Sequence, residues 1–147
     1  MTTVLCGNVP VHVVRLPGTK LFRCEVLVHC GCAHERASEA EYAHFLEHIV
    51  ATYPSEARPS VDDNRAWMNR RGIQWNAFTK RTMVGYYAWG KTRDFGTVLT
   101  MMMDGLFRCV APTDANVDKE RAAAINELTP ALEPCTAAEV AAEAEAA

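Results

Sequence analysis

A chain of 147 residues, 49% hydrophobic and 22% charged, is long enough to bury one core and has the composition of a globular domain. Its formal net charge of -3 comes without a basic stripe, which argues against a nucleic-acid partner, because phosphate binding needs clustered Lys and Arg. The apolar runs are too short and interrupted to span a bilayer. The N-terminal MTTVLCGNVPVHVVRLPG also lacks the features of a secretory signal or transit peptide, so no membrane partner and a cytoplasmic location are expected.

Residues 9–16 and 21–33 are rich in Val, Leu and Cys and read as two strands joined by a turn at Pro17-Gly18. Cys30 and Cys32 lie two apart in the second run, so a strand would place both thiols on one face. With Cys6, Cys24, Cys109 and Cys135 they form no CxxC pair. Thiolate zinc frameworks therefore do not fit, and reduced, partly buried thiols are expected. Ser38 followed by Glu41 has the form of a capping box and predicts a helix over 39–52 that stops before Pro54, with Phe45, Ile49 and Tyr53 as its buried stripe.

A polar loop with two prolines spans 54–60. Ser60 and Asp63 open a second helix, VDDNRAWMNRRG, that ends at Gly72, a residue suited to a left-handed terminator. IQWNAF and TMVGYYAWG read as strands with TKR in the turn. Asp94 is placed to cap a third helix, FGTVLTMMMDGLFRCV, whose Met stripe is core filler and which Pro112 ends. A fourth helix is predicted over 116–128, closed by Pro130. The Ala- and Glu-rich end carries no readable chemistry, giving a domain over 1–130 and a tail over 131–147. The order of elements is that of an α+β fold with an antiparallel sheet backed by helices.

The first helix carries the chemistry. His44-Phe45-Leu46-Glu47-His48 is an HxxEH motif, and residues four apart share a helix face, so both imidazoles can reach one metal ion. Glu47 falls on the same side but leans off the ligand pair, where a carboxylate can take a proton from water on the metal and hand it to a leaving amine. A catalytic Zn2+ takes three protein ligands and keeps a fourth position open, so a further donor is required. The fourth helix offers Glu120 and Glu127, two turns apart on one face, of which only one can be a direct ligand. Glu127 is assigned as the ligand and Glu120 as a group that orients a histidine or tunes the site.

HFLEH resembles the inverted zinc motif of the pitrilysin, insulysin and mitochondrial processing peptidase family. VLVHCGCAHE resembles the family's strand and Gly-small-x-x-Glu turn before the zinc helix. WNAFTKRTMVGYY resembles its Asn-Ala-x-Thr hairpin, and DKERAAAINEL its third-ligand helix. All four occur in family order across about residues 8–128. The resemblance implies that His44, His48 and Glu127 bind Zn2+, that Glu47 is the general base and that Glu120 supports catalysis. It further implies that Asn76, Ala77 and Phe78 form the edge on which a peptide or protein substrate adds as an extra strand.

In that family a second homologous half or subunit closes the active site. The family's second strand-helix repeat has no counterpart here, so the chain reads as truncated to the zinc-binding part of an N-terminal half. The loop over 54–60 stands where the family has a Lys-Gly-Thr-type turn. The function implied is a zinc endopeptidase. The alternatives are a non-catalytic peptide-binding or regulatory subunit and a structural zinc site, which a fourth protein ligand would mark. His29 and His34 are expected in packing roles.

Overall fold

The computed structural model of the chain describes residues 1–52 and 54–128, so Tyr53, Pro130, Cys135 and the segment 131–147 lie outside the described residues. The chain opens on a strand with no counterpart in the sequence reading. β1 (Thr2–Cys6) pairs antiparallel with β2 (Val9–Val13), from Thr2 opposite Val13 to Cys6 opposite Val9. Gly7 and Asn8 form the two-residue connection, and Gly7 takes φ +62, a left-handed conformation that tight hairpins require. The expected turn at Pro17-Gly18 is present, with Gly18 at φ +83 and the Thr19 N–H donating to the Leu16 carbonyl (3.3 Å). It does not make a hairpin, because β2 is already paired with the strand before it and β3 (Leu21–Val28) joins another sheet.

That second sheet has the order β3-β5-β4, all antiparallel, with β4 (Gln74–Thr79) on the outside and β5 (Val84–Lys91) in the centre. Alternation along β3 turns Phe22, Cys24 and Val26 inward and leaves Leu21, Arg23, Glu25 and Leu27 outward. Val84, Tyr86 and Ala88 of β5 face the same core. Helices α1 (Tyr42–Ala51), α2 (Val61–Arg71) and α3 (Phe95–Phe107) supply Ala43, Met68, Val98, Met101 and Met102 to it. The buried Met101 and Met102 are thus core filler. Helix α4 (Asp114–Leu128) packs against α1. The fold is α+β, an antiparallel sheet backed by helices.

Two departures at element ends have physical causes. β3 stops at Val28, so Cys30 and Cys32 do not share a strand face; Cys32–His34 forms a short 3-10 turn instead. The chain bends there to pass against the β4–β5 connection. A Cβ on Gly31 would run into the Lys80 carbonyl oxygen and lie 2.8 Å from both the Arg81 oxygen and the Met83 nitrogen, so only glycine fits. Among the described cysteines, all free, Cys24 and Cys30 are half-buried, whereas Cys6, Cys32 and Cys109 are exposed rather than partly buried. Burial pushes the Cys24 thiol pKa up, which keeps it protonated beside Met102 Sδ (3.4 Å).

Helix α2 starts and stops as its residues dictate: Ser60 Oγ accepts from the Asp63 N–H (3.2 Å), and Gly72 closes the helix at φ +67. Asp94, by contrast, does not cap α3. Asp94 is 3% exposed and its carboxylate accepts from Arg71 Nη1 (2.7 Å), because a buried charge needs a charged partner more than a helix start needs a cap. The loop over 54–60 is less polar in effect than in composition, since Ser55 is 2% exposed and its backbone bridges Arg58 and Cys109. No helix of the described residues is long and apolar enough to cross a membrane.

Candidate metal centre

Helix α1 starts three residues later than Ser38 and Glu41 suggest. Glu41 takes φ +70 and ends a short turn instead of serving in a capping box. Two of the free N–H groups at the helix start are satisfied by Glu35, whose carboxylate accepts from Glu41 N–H (3.0 Å) and from Ala43 N–H. A carboxylate there also meets the positive end of the helix dipole. Replacing Glu35 by Ala is expected to lower unfolding free energy by about 1–2 kcal/mol, and Glu35→Gln, which keeps an acceptor oxygen, by less. Urea denaturation of both variants checks this; equal losses would show that the charge alone matters.

Ala43 and Glu47 are the buried residues of α1 and the half-buried Val50 packs against the core, whereas Phe45 and Ile49, equally half-buried, are not part of that cluster. His44 and His48 each follow an inward residue by one position, about 100° further round the helix. They therefore look toward α4 and not into the sheet. Their Nε2 atoms lie 3.2 Å apart. Glu127 Oε2, from α4, lies 3.3 Å from His44 Nε2 and 3.4 Å from His48 Nε2. A tetrahedral zinc site with bonds of about 2.0–2.1 Å sets its donor atoms roughly 3.3–3.4 Å apart. The triangle of two imidazole nitrogens and one carboxylate oxygen has that size, so the donor set fits zinc in both chemistry and spacing. Among the described residues no other group of three or more such side chains converges.

The far nitrogens of both rings face acids. His44 Nδ1 is 3.3 Å from Glu41 Oε2, and His48 Nδ1 is 3.7 Å from Glu120 Oε2. A carboxylate behind an imidazole fixes its tautomer and keeps Nε2 free as a donor to a metal. Glu41 was missed from the sequence because its spacing suited a cap; its position three before His44 was the available signal.

Glu47, on the same helix, lies in the seam between α1 and β4 and lines the cleft together with both histidines. It is 9% exposed, and its Oε2 accepts from Thr79 Oγ1 (2.9 Å). Burial, and after it the charge of Glu47 and of Cys30, pushes the Tyr86 phenol well above its usual range, so that hydroxyl stays protonated. Asn76, Ala77 and Phe78 lie on the outer strand β4 beside the same cleft, which has a volume of about 780 Å³ and is lined also by His44, Glu47, His48, Glu120 and Glu127. The Ala77 N–H donates to the Asn76 side-chain oxygen (2.9 Å). The Phe78 ring lies over Gly85, its partner in the ladder. His29 and His34 lie apart from this centre, their rings 5.3 Å from each other edge to face.

Comparison with known proteins bears on the fold and the family. The fold is similar to that of a protease from Helicobacter pylori, with a TM-score of 0.66 and 18% identity over 75% of this chain. This chain spans 26% of the length of that one. No curated protein matches. The family model described as Insulinase (Peptidase family M16) matches residues 11–142. A match over that much of the sequence, on a chain whose His-x-x-Glu-His segment forms a metal-ready cluster with Glu127, places it in a family: this protein belongs to the insulinase family, peptidase family M16.

Proposed function

We propose that this chain is the metal-bearing part of a zinc-dependent endopeptidase acting on peptides held in extended form. Residues 1–130 are read as that unit and 131–147 as a tail. The observation that carries the reading is the convergence of His44, His48 and Glu127 with a buried carboxylate, Glu47, one residue from a ligand on the same helix. His44, His48 and Glu127 would hold Zn2+, with Glu120 and Glu41 orienting the imidazoles. Three protein donors leave a position open, as a catalytic rather than a structural site requires. Zinc at that point supplies Lewis acidity toward the scissile carbonyl and acidifies water to near neutral pKa.

The residues of the chain do the rest. Glu47 takes the proton of the attacking water as the new C–O bond forms. It then delivers that proton to the amide nitrogen as the C–N bond breaks, releasing a free amine and a carboxylate. The substrate would lie along β4. That strand is on the outside of its sheet, and alternate backbone N–H groups of an antiparallel edge turn away from the partner strand. The Ala77 N–H, now satisfied by Asn76 Oδ1, is such a donor, and the Asn76 side chain would yield it to a substrate carbonyl. Backbone pairing of this kind tolerates many substrate sequences.

A second reading is favoured by one observation. Because the chain spans 26% of the length of the matched protease, it could serve as a peptide-holding part that needs a second homologous half or subunit for turnover. Hydrolysis of an extended peptide by the wild type against Glu47→Gln, with peptide binding measured in parallel, separates the two readings: binding without hydrolysis in both proteins selects the second.

A further inference from the structure

We propose that Thr79 is a positioning residue for Glu47, holding the general base by one oxygen so that the other faces the cleft. This rests on the proposed peptidase reading and deepens it. Glu47 sits on a helix and Thr79 on a strand, 32 positions apart in sequence, and the Oγ1–Oε2 distance is 2.9 Å. A carboxylate that is 9% exposed and partnered by a neutral hydroxyl is an unusual arrangement, since buried charges are usually neutralised by a cation. The hydroxyl has a single proton and gives it to Oε2. It thereby sets the rotation of the carboxylate about its last torsion, which is otherwise broad.

Thr79 is well placed to hold that setting. It is the last residue of β4, paired with Val84, and the next residue closes the connection through the Lys80 N–H to Met83 oxygen bond (2.8 Å). The Gly31 segment packs against that same connection, and the Ala33 N–H bonds the Arg81 carbonyl (2.8 Å). The hydroxyl therefore projects from backbone held on two sides. Thr79 also ends the strand that carries Asn76, Ala77 and Phe78. One rigid strand would thus align the substrate edge and the base, which proton transfer over hydrogen-bond distances demands.

The test uses Thr79→Val, which keeps shape and strand preference but removes the hydroxyl, and Thr79→Ser, which restores it. The expected result is a fall in kcat of about tenfold to a hundredfold in Thr79→Val, with KM within about twofold, zinc content unchanged, and most of kcat recovered in Thr79→Ser. A readout independent of turnover is the Glu47 side-chain carboxyl 13C shift in the metal-free chain, which moves in Thr79→Val and returns in Thr79→Ser. Wild-type kcat in Thr79→Val, or a Thr79→Ser as impaired as Thr79→Val, overturns the proposal, as does a carboxyl shift identical in all three proteins. If the wild type does not hydrolyse peptide, or Glu47→Gln matches it, the peptidase reading fails instead, and the carboxyl shift alone then decides whether Thr79 holds Glu47.

Discussion

Glu47→Gln is expected to lower peptide hydrolysis by about 10²–10⁴-fold while leaving the zinc content of the protein unchanged. The substitution is close to isosteric, and the amide oxygen can still accept the Thr79 hydroxyl, so the local packing survives. What it removes is the ability to take a proton from water and return it to the leaving nitrogen. Because Glu47 is buried on the inward face of α1 while the metal-facing nitrogens belong to His44 and His48, the loss falls on the chemical step and not on metal affinity. The measurement is kcat on an extended, fluorogenic peptide, with metal analysis of the same samples. An unchanged kcat would remove Glu47 from the reaction. A parallel loss of zinc would make it a ligand instead.

Glu127→Ala is expected to weaken zinc binding by roughly 10²–10³-fold, the share of one donor in a site whose total affinity is of order 10–16 kcal/mol. Glu120→Gln is expected to cost about 10–100-fold, the usual penalty for removing the acid behind a metal-bound histidine. The two substitutions lie on the same helix, two turns apart, and differ in what the side chain meets. Glu127 Oε2 is within 3.4 Å of both Nε2 atoms, whereas Glu120 Oε2 is 3.7 Å from His48 Nδ1. Competition titration with a chromophoric chelator ranks the variants. A Glu120→Gln that loses as much zinc as Glu127→Ala would exchange the roles assigned here to the two acids.

Much of this was legible because the chemistry and the helix period coincide. His44, Glu47 and His48 lie within five consecutive positions of one helix, so their relative placement follows from α-helical geometry once the helix is recognised. Ser60 and Gly72 likewise bound α2 through local backbone needs that any surroundings would respect. What depended on tertiary context was less visible. Glu35 replaces Ser38 at the start of α1 because the bend at Gly31 carries its carboxylate to the free N–H groups, and no local pattern encodes that bend.

Asp94 looks like a helix cap in sequence but is claimed by Arg71, 23 positions earlier, once both are brought together. The hairpin at the start was readable and missed: Gly7-Asn8 between Val- and Leu-containing runs is a two-residue turn signal, outweighed by the more conspicuous Pro17-Gly18. The Thr79 to Glu47 bond could not be read at all, because it joins a strand end to a helix face across 32 positions.

The central claim is one zinc ion held by His44, His48 and Glu127, and X-ray absorption at the zinc edge of the purified, zinc-loaded chain tests it most directly. One zinc per chain is expected, in a shell of nitrogen and oxygen scatterers near 2.0–2.1 Å, with imidazole multiple scattering from two rings. Sulfur scatterers at about 2.3 Å, or a shell that is unchanged in Glu127→Ala, would contradict it.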